Sequence, residues 1–154
     1  DADCRVLILG TAPSKKSREV GFYYGHPQNR FWPLVTMLLG YAEVPFDYAD
    51  KKQMLLDNRI ALWDVLGYCE REGSLDSDIT CEQPNDLAGF LQNHPQIHTI
   101  CCNGGKAAAA FKKYTRQLDL QRITVHFLPS TSPANARWSL TKLLEAWQVI
   151  NTGR

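Results

Sequence analysis

Apolar residues in this chain fall into short blocks of two kinds. Arg5–Leu9 (RVLIL), Ile60–Leu66 (IALWDVL), Ile97–Cys102 and Arg122–Leu128 (RITVHFL) are compact, partly β-branched runs bounded by turn-forming residues. Each reads as a buried strand. Between them the spacing changes to that of helices. Arg30–Leu39 places apolar residues at 31, 34, 35, 38 and 39 and is closed by Gly40, with Pro33 tolerable in a first turn. Asp50–Asp57 is a second short helix. Asn85 or Asp86 is placed to cap a third through about Asn93. Gly104–Tyr114 carries four consecutive alanines that favour helix. Arg137–Ile150 puts Leu140, Leu143, Leu144, Trp147 and Ile150 on one face.

Strands alternating with helices predict an α/β fold: three α/β/α layers around a mainly parallel, four-stranded sheet. Residues 1–154 suit one domain of a size that buries its own core. Ligands of such sheets bind at the carboxyl ends of the strands. The loops to inspect therefore begin at Gly10, Asp64, Asn103 and Pro129.

Composition adds little, but charge distribution adds something. The net charge is +1, yet residues 43–86 hold eleven acids against four bases and the remainder thirteen bases against five acids. That split allows a basic face for a polyanion opposite an acidic back, and equally two ordinary solvated faces. No apolar run approaches membrane-spanning length. The five cysteines form no CxxC, so neither a disulfide framework nor a zinc site is expected, and a reduced, cytoplasmic location is.

The most concentrated chemistry is GFYYGHPQNRFWP at 21–33, which holds five aromatics with a histidine, an asparagine and an arginine in thirteen residues. With the turn Gly10-Thr11-Ala12-Pro13-Ser14, the CNGGK run at 102–106 and the LPSTSPANAR run at 128–137, this segment resembles the uracil-DNA glycosylase superfamily. The likeness runs from Val6 to about Trp147 in the family's order. His26-Pro27-Gln28-Asn29-Arg30-Phe31-Trp32 matches the signature that opens a helix in the mismatch-specific branch. Ala12, however, stands where those enzymes carry a catalytic asparagine. In that respect the chain is more similar to the hypoxanthine-DNA glycosylase branch.

The resemblance implies a monofunctional DNA glycosylase that needs no metal or cofactor and acts as a monomer on DNA containing a deaminated base. Hypoxanthine is expected first, and uracil or a mismatched pyrimidine second. It implies catalysis by Asn29, whose amide would position water or donate to the leaving base; spacing alone favours reading Asn29 as a helix cap. Tyr24 would stack on the base, Asp64 would read its edge, and Gly10, Thr11, Ala12 and His26 would line the base site. An ionised aspartate only accepts hydrogen bonds, which suits an N–H on the base; pairing of Asp64 with Arg71 or capping of a loop is the competing role. Lys106 and the run Ser130, Thr131, Ser132, Pro133, Ala134, Asn135 and Arg137 would contact the DNA. A cytoplasmic protein, nucleoid-associated in a bacterium, would follow. A damage-binding protein without activity and an enzyme of free nucleotides are the alternatives.

Overall fold

The computed structural model describes residues 3–11, 23–24, 29–67 and 84–153. Four strands form one parallel sheet: β1 (Val6–Gly10), β2 (Ile60–Asp64), β3 (Thr99–Asn103) and β4 (Thr124–Leu128), in the spatial order β2-β1-β3-β4. The helices are α1 (Phe31–Leu38), α2 (Tyr48–Asp57), α3 (Leu87–Asn93), α4 (Gly105–Tyr114) and α5 (Leu140–Ala146), followed by a 3₁₀ turn at Trp147–Gly153.

β1 is central, buried on both faces, and its alternating residues feed two cores. Val6 and Ile8 pack with Phe31, Leu34, Val35, Leu143 and Trp147 on one side. Leu7 and Leu9 pack with Ile100, Ala107 and Phe111 on the other. This is the period-2 geometry of a strand covered on both faces, and it accounts for the unbroken apolar run VLIL. In register, Gly10 lies opposite Asp64, and Asn103 opposite Leu128. The chain moves from β1 to one neighbour and later crosses to the other, so the topological switch point lies between β1 and β3.

The helix ends follow local chemistry. Gly40 takes φ +84°, and the Tyr41 N–H returns to the Thr36 carbonyl, closing α1 with a Schellman-type turn. Asp86 caps α3 by accepting from Gly89 N at 3.0 Å. The last helix departs from the pattern. It starts at Leu140 rather than Arg137, because Ser139 caps Lys142 N and Asn135–Trp138 are held in a turn by Arg30. It then tightens into 3₁₀ geometry from Trp147. β2 likewise stops at Asp64, two residues before the apolar run ends. No helix among the described residues is long and apolar enough to cross a membrane.

Candidate functional site

The loop leaving β4 meets the N-terminus of α1 and the end of β3, and hydrogen bonds through Asn29, Thr131 and Asn103 tie the three together. Asn29 sits two residues before α1. Its Oδ1 accepts from Phe31 N at 2.9 Å and from the Thr131 hydroxyl at 2.8 Å. A backbone N–H only donates, so the carboxamide orientation is set by chemistry: oxygen toward Phe31 and Thr131, nitrogen away. Both oxygen lone pairs are engaged, and what the side chain has left to offer is a pair of N–H donors. Among the described residues that nitrogen makes no hydrogen bond. The oxygen thus satisfies the first N–H of α1, and the amide N–H groups have no part in that role.

Thr131 is fully buried. Its N–H donates to Asn103 Oδ1 and its Oγ1 accepts from Asn103 Nδ2, both at 3.1 Å. Asn103 ends β3, with only 8% of its surface exposed. A chain of hydrogen bonds therefore runs from Asn103 through Thr131 to Asn29, linking the ends of β3 and β4 to α1. Buried hydrogen-bonded chains of this kind hold one geometry, since any slip leaves a polar group unpaired.

The adjacent Arg30 clamps the same loop from the other side. Its backbone N–H donates to the Thr131 carbonyl at 3.1 Å. Its guanidinium donates to the carbonyls of Ser132 (3.0 Å), Asn135 (2.9 Å) and Trp138. Residues 130–138 are further shaped by bonds from Asn135 Nδ2 to the Ser130 carbonyl and from Ser132 N to Ser130 Oγ. The loop consequently presents Pro133, Ala134 and Arg137 to solvent at its tip. At its base, Gly104 is needed for close approach: with φ +96°, a Cβ there would sit 3.0 Å from Ser130 Cβ.

The aromatic turn is fixed by Trp32, whose indole donates to the Tyr23 carbonyl at 2.9 Å. Tyr24 adopts φ +54°, the left-handed region that costs a non-glycine residue about 1–2 kcal/mol. Its ring stacks on Phe31 at 4.1 Å and 9°. Its hydroxyl is buried beside Asp64 and Asn103 with no hydrogen bond of normal geometry, and burial raises its pKa far above the ordinary value.

Asp64, at the end of β2, is 4% exposed. A Cβ on Gly10 would fall 2.6 Å from its Oδ1 and 3.3 Å from the Tyr24 hydroxyl. Glycine at position 10 is thus what lets the carboxyl and the phenol close over the end of β1. Oδ2 is buried and lacks a partner, and desolvation pushes the carboxyl pKa up to about 7. Two orphaned polar atoms in one dry corner are costly to folding, so their presence points to a ligand.

The structure brings together Gly10, Tyr24, Asn29, Asp64 and the 130–135 loop. Thr11 follows β1, its carbonyl accepting from Leu66 N at 2.8 Å. Lys106 is exposed in the first turn of α4, and Ser132 and Asn135 are half-buried. Ala12 and His26 lie outside the described residues, as does Arg71, the alternative partner of Asp64. Thr131 corrects the sequence expectation. Its hydroxyl and amide point into the domain, so it is a support of Asn29 rather than a surface contact to DNA. Asn103 and Arg30 were missed as site residues. Asn103 is the polar residue that ends an apolar run at a strand's carboxyl end, and that position was the available signal.

An oriented asparagine, a stacked tyrosine and a buried carboxyl thus gather over the strand ends of an α/β domain. Comparison with known proteins places it. Residues 1–151 match the model of the uracil DNA glycosylase superfamily, and the chain belongs to that superfamily. It is 39% identical over 150 residues to a hypoxanthine DNA glycosylase of Methanosarcina acetivorans, covering 97% of this chain and 92% of that protein. A hypoxanthine DNA glycosylase of Methanosarcina barkeri is 32% identical over 147 residues, covering 96% and 90%. The solution NMR structure of a candidate uracil DNA glycosylase from M. acetivorans superposes with a TM-score of 0.83 at 37% identity, over 99% of this chain and 92% of that one.

Proposed function

We propose that this chain is a monofunctional DNA glycosylase that hydrolyses the N-glycosidic bond of a deaminated base, hypoxanthine first and uracil second. The glycosidic bond is shielded inside a duplex, so the nucleotide must be extruded before reaction. Tyr24 supplies a stacking face for the extruded base; its other face is backed by Phe31. Base stacking on an aromatic contributes about 1–3 kcal/mol and tolerates several bases. Asp64 meets the polar edge. The exposed tip of the 130–137 loop, with Lys106, holds the flanking DNA.

The observation that carries the reading is the locked carboxamide of Asn29. As the C1′–N bond breaks, its electron pair leaves with the base, and negative charge grows on the base while water adds to C1′; the proton that the water loses passes through solvent to the released base. A preoriented N–H donor beside that base stabilises the charge with little reorganisation, the same logic as an oxyanion hole. Since Oδ1 is already filled by Phe31 and Thr131, Asn29 acts by donating to the leaving base and not by accepting a hydrogen bond from the attacking water. Thr131 and Asn103 are positioning residues in this scheme.

The working unit is taken as a monomer. A compartment that contains the chromosome, the cytoplasm or a bacterial nucleoid, is where such an enzyme works. The experiment is alkaline strand cleavage of duplexes bearing a single inosine or uracil. Abasic sites at inosine are expected. Binding of inosine duplex without abasic-site formation would make the chain a damage-binding protein. Turnover of free inosine or its monophosphate, with DNA left intact, would make it a nucleotide enzyme.

A further inference from the structure

The orphaned carboxyl at the end of β2 carries one inference more, and it rests on the reading in which that strand end faces the base. Every described group around Asp64 is uncharged or anionic. From the end of β1 come Gly10 and Thr11, with no titratable side chain. From the aromatic turn come the Tyr24 hydroxyl, backed by Asn103 and Cys102 of β3, and the Tyr23 hydroxyl, backed by Tyr48 of α2. No cation stands among these groups. Oδ2 has no donor to satisfy it, and a base stacked over Tyr24 would exclude still more water. The described residues offer an anion nothing to hold it.

The bases at issue share a feature. Hypoxanthine (N1–H, O6) and uracil (N3–H, O4) both present a lactam edge, one donor beside one acceptor. An ionised carboxylate accepts from the ring N–H but sets a second lone pair against the exocyclic oxygen. A neutral acid complements both atoms.

We propose that Asp64 reads the base as a neutral carboxylic acid, its hydroxyl donating to the exocyclic oxygen and its carbonyl accepting from the ring N–H of a lactam edge. Asp64 then does with a proton what asparagine does with an amide. It reads one donor beside one acceptor and not the ring that carries them, which joins hypoxanthine and uracil as one substrate class. A neutral acid can also turn its hydroxyl toward N1 of adenine, so Asp64 is not what rejects adenine.

The test is the pH profile of single-turnover excision from an inosine duplex, between about pH 5.5 and about pH 9, for wild type and Asp64→Asn. Binding of a duplex with non-cleavable 2′-fluoro-deoxyinosine is followed in parallel. The expected wild-type rate and affinity decline with rising pH, approaching roughly tenfold per unit once the carboxyl ionises. Asp64→Asn, which keeps a donor and an acceptor without a titrating proton, loses that decline and overtakes wild type at alkaline pH. Wild-type activity that rises with pH, together with an inactive Asp64→Asn, would overturn the neutral-acid proposal while leaving Asp64 in the base site. An Asp64→Asn profile superimposable on wild type in rate, affinity and pH dependence would remove Asp64 from the site and sink the underlying reading. Should the variant fail to fold, the direction of the wild-type profile alone still decides between the two protonation states.

Discussion

Replacing Asp64 by asparagine makes a prediction about stability that is independent of DNA. Asp64 is almost fully buried, with one oxygen unpartnered, and burial moves its pKa from 3.8 to about 7. In the unfolded chain the carboxyl ionises near its ordinary value, whereas in the folded chain it holds its proton longer. Between these values the native state binds more protons, so stability falls as pH rises. The favourable state is fully present below about pH 4, is lost progressively up to about pH 7, and stays lost above that. At about 1.4 kcal/mol per pH unit, the loss is on the order of 4 kcal/mol. For a chain of this length it corresponds to a melting-temperature change of roughly 10 °C. Asparagine has no proton to lose. Urea denaturation of both proteins in steps from about pH 4.5 to about pH 8 should show the variant gaining on wild type by most of that amount. Asparagine's own burial cost enters as a constant offset and leaves the slope untouched. A difference between the two proteins that stays flat with pH would refute the claim that Asp64 is buried without a charge partner.

Three further substitutions probe the supports. Thr131→Val keeps the shape but leaves Asn103 Nδ2 and Asn29 Oδ1 each a partner short; it should cost about 1–3 kcal/mol of stability and slow excision at least about tenfold with little change in DNA affinity, with Thr131→Ser restoring both. Arg30→Ala removes three guanidinium bonds to the 130–138 loop; a loss of roughly 3 kcal/mol and weaker DNA binding are expected by thermal melting and polarisation, and unchanged affinity would separate the loop from DNA contact. Gly10→Ala drives a Cβ into Asp64 Oδ1; about 1–3 kcal/mol of overpacking should appear with a larger fall in excision, and full activity would mean the carboxyl has room to move.

The fold was legible because its determinants are local. The four apolar runs are the four strands, and Gly40, Asp86 and the alanine run mark helix ends and interiors where the structure has them. Where boundaries moved, a tertiary bond was responsible. Arg137 lies outside the last helix because Arg30, more than a hundred positions away in the chain, holds Asn135 and Trp138 in a turn. The site was legible only in part, for the same reason. Asn29, Tyr24 and Asp64 were marked by resemblance to the superfamily, whereas spacing alone made Asn29 a helix cap. Thr131 looked like one more small polar residue of a DNA-facing loop, and only its pairing with Asn103 and Asn29 reveals that it turns inward. The state of Asp64 was equally hidden. An aspartate reads as an anion until the dryness of its surroundings is known.

The central claim is that Asn29 donates to the departing base, and single-turnover excision by Asn29→Ala tests it most directly. With a folded protein and inosine-duplex affinity near wild type, the account predicts a fall in rate of about a hundredfold or more, the scale seen when one preoriented donor is removed from a developing anion. Excision within a few-fold of wild type would contradict it and move the catalytic donor to another residue.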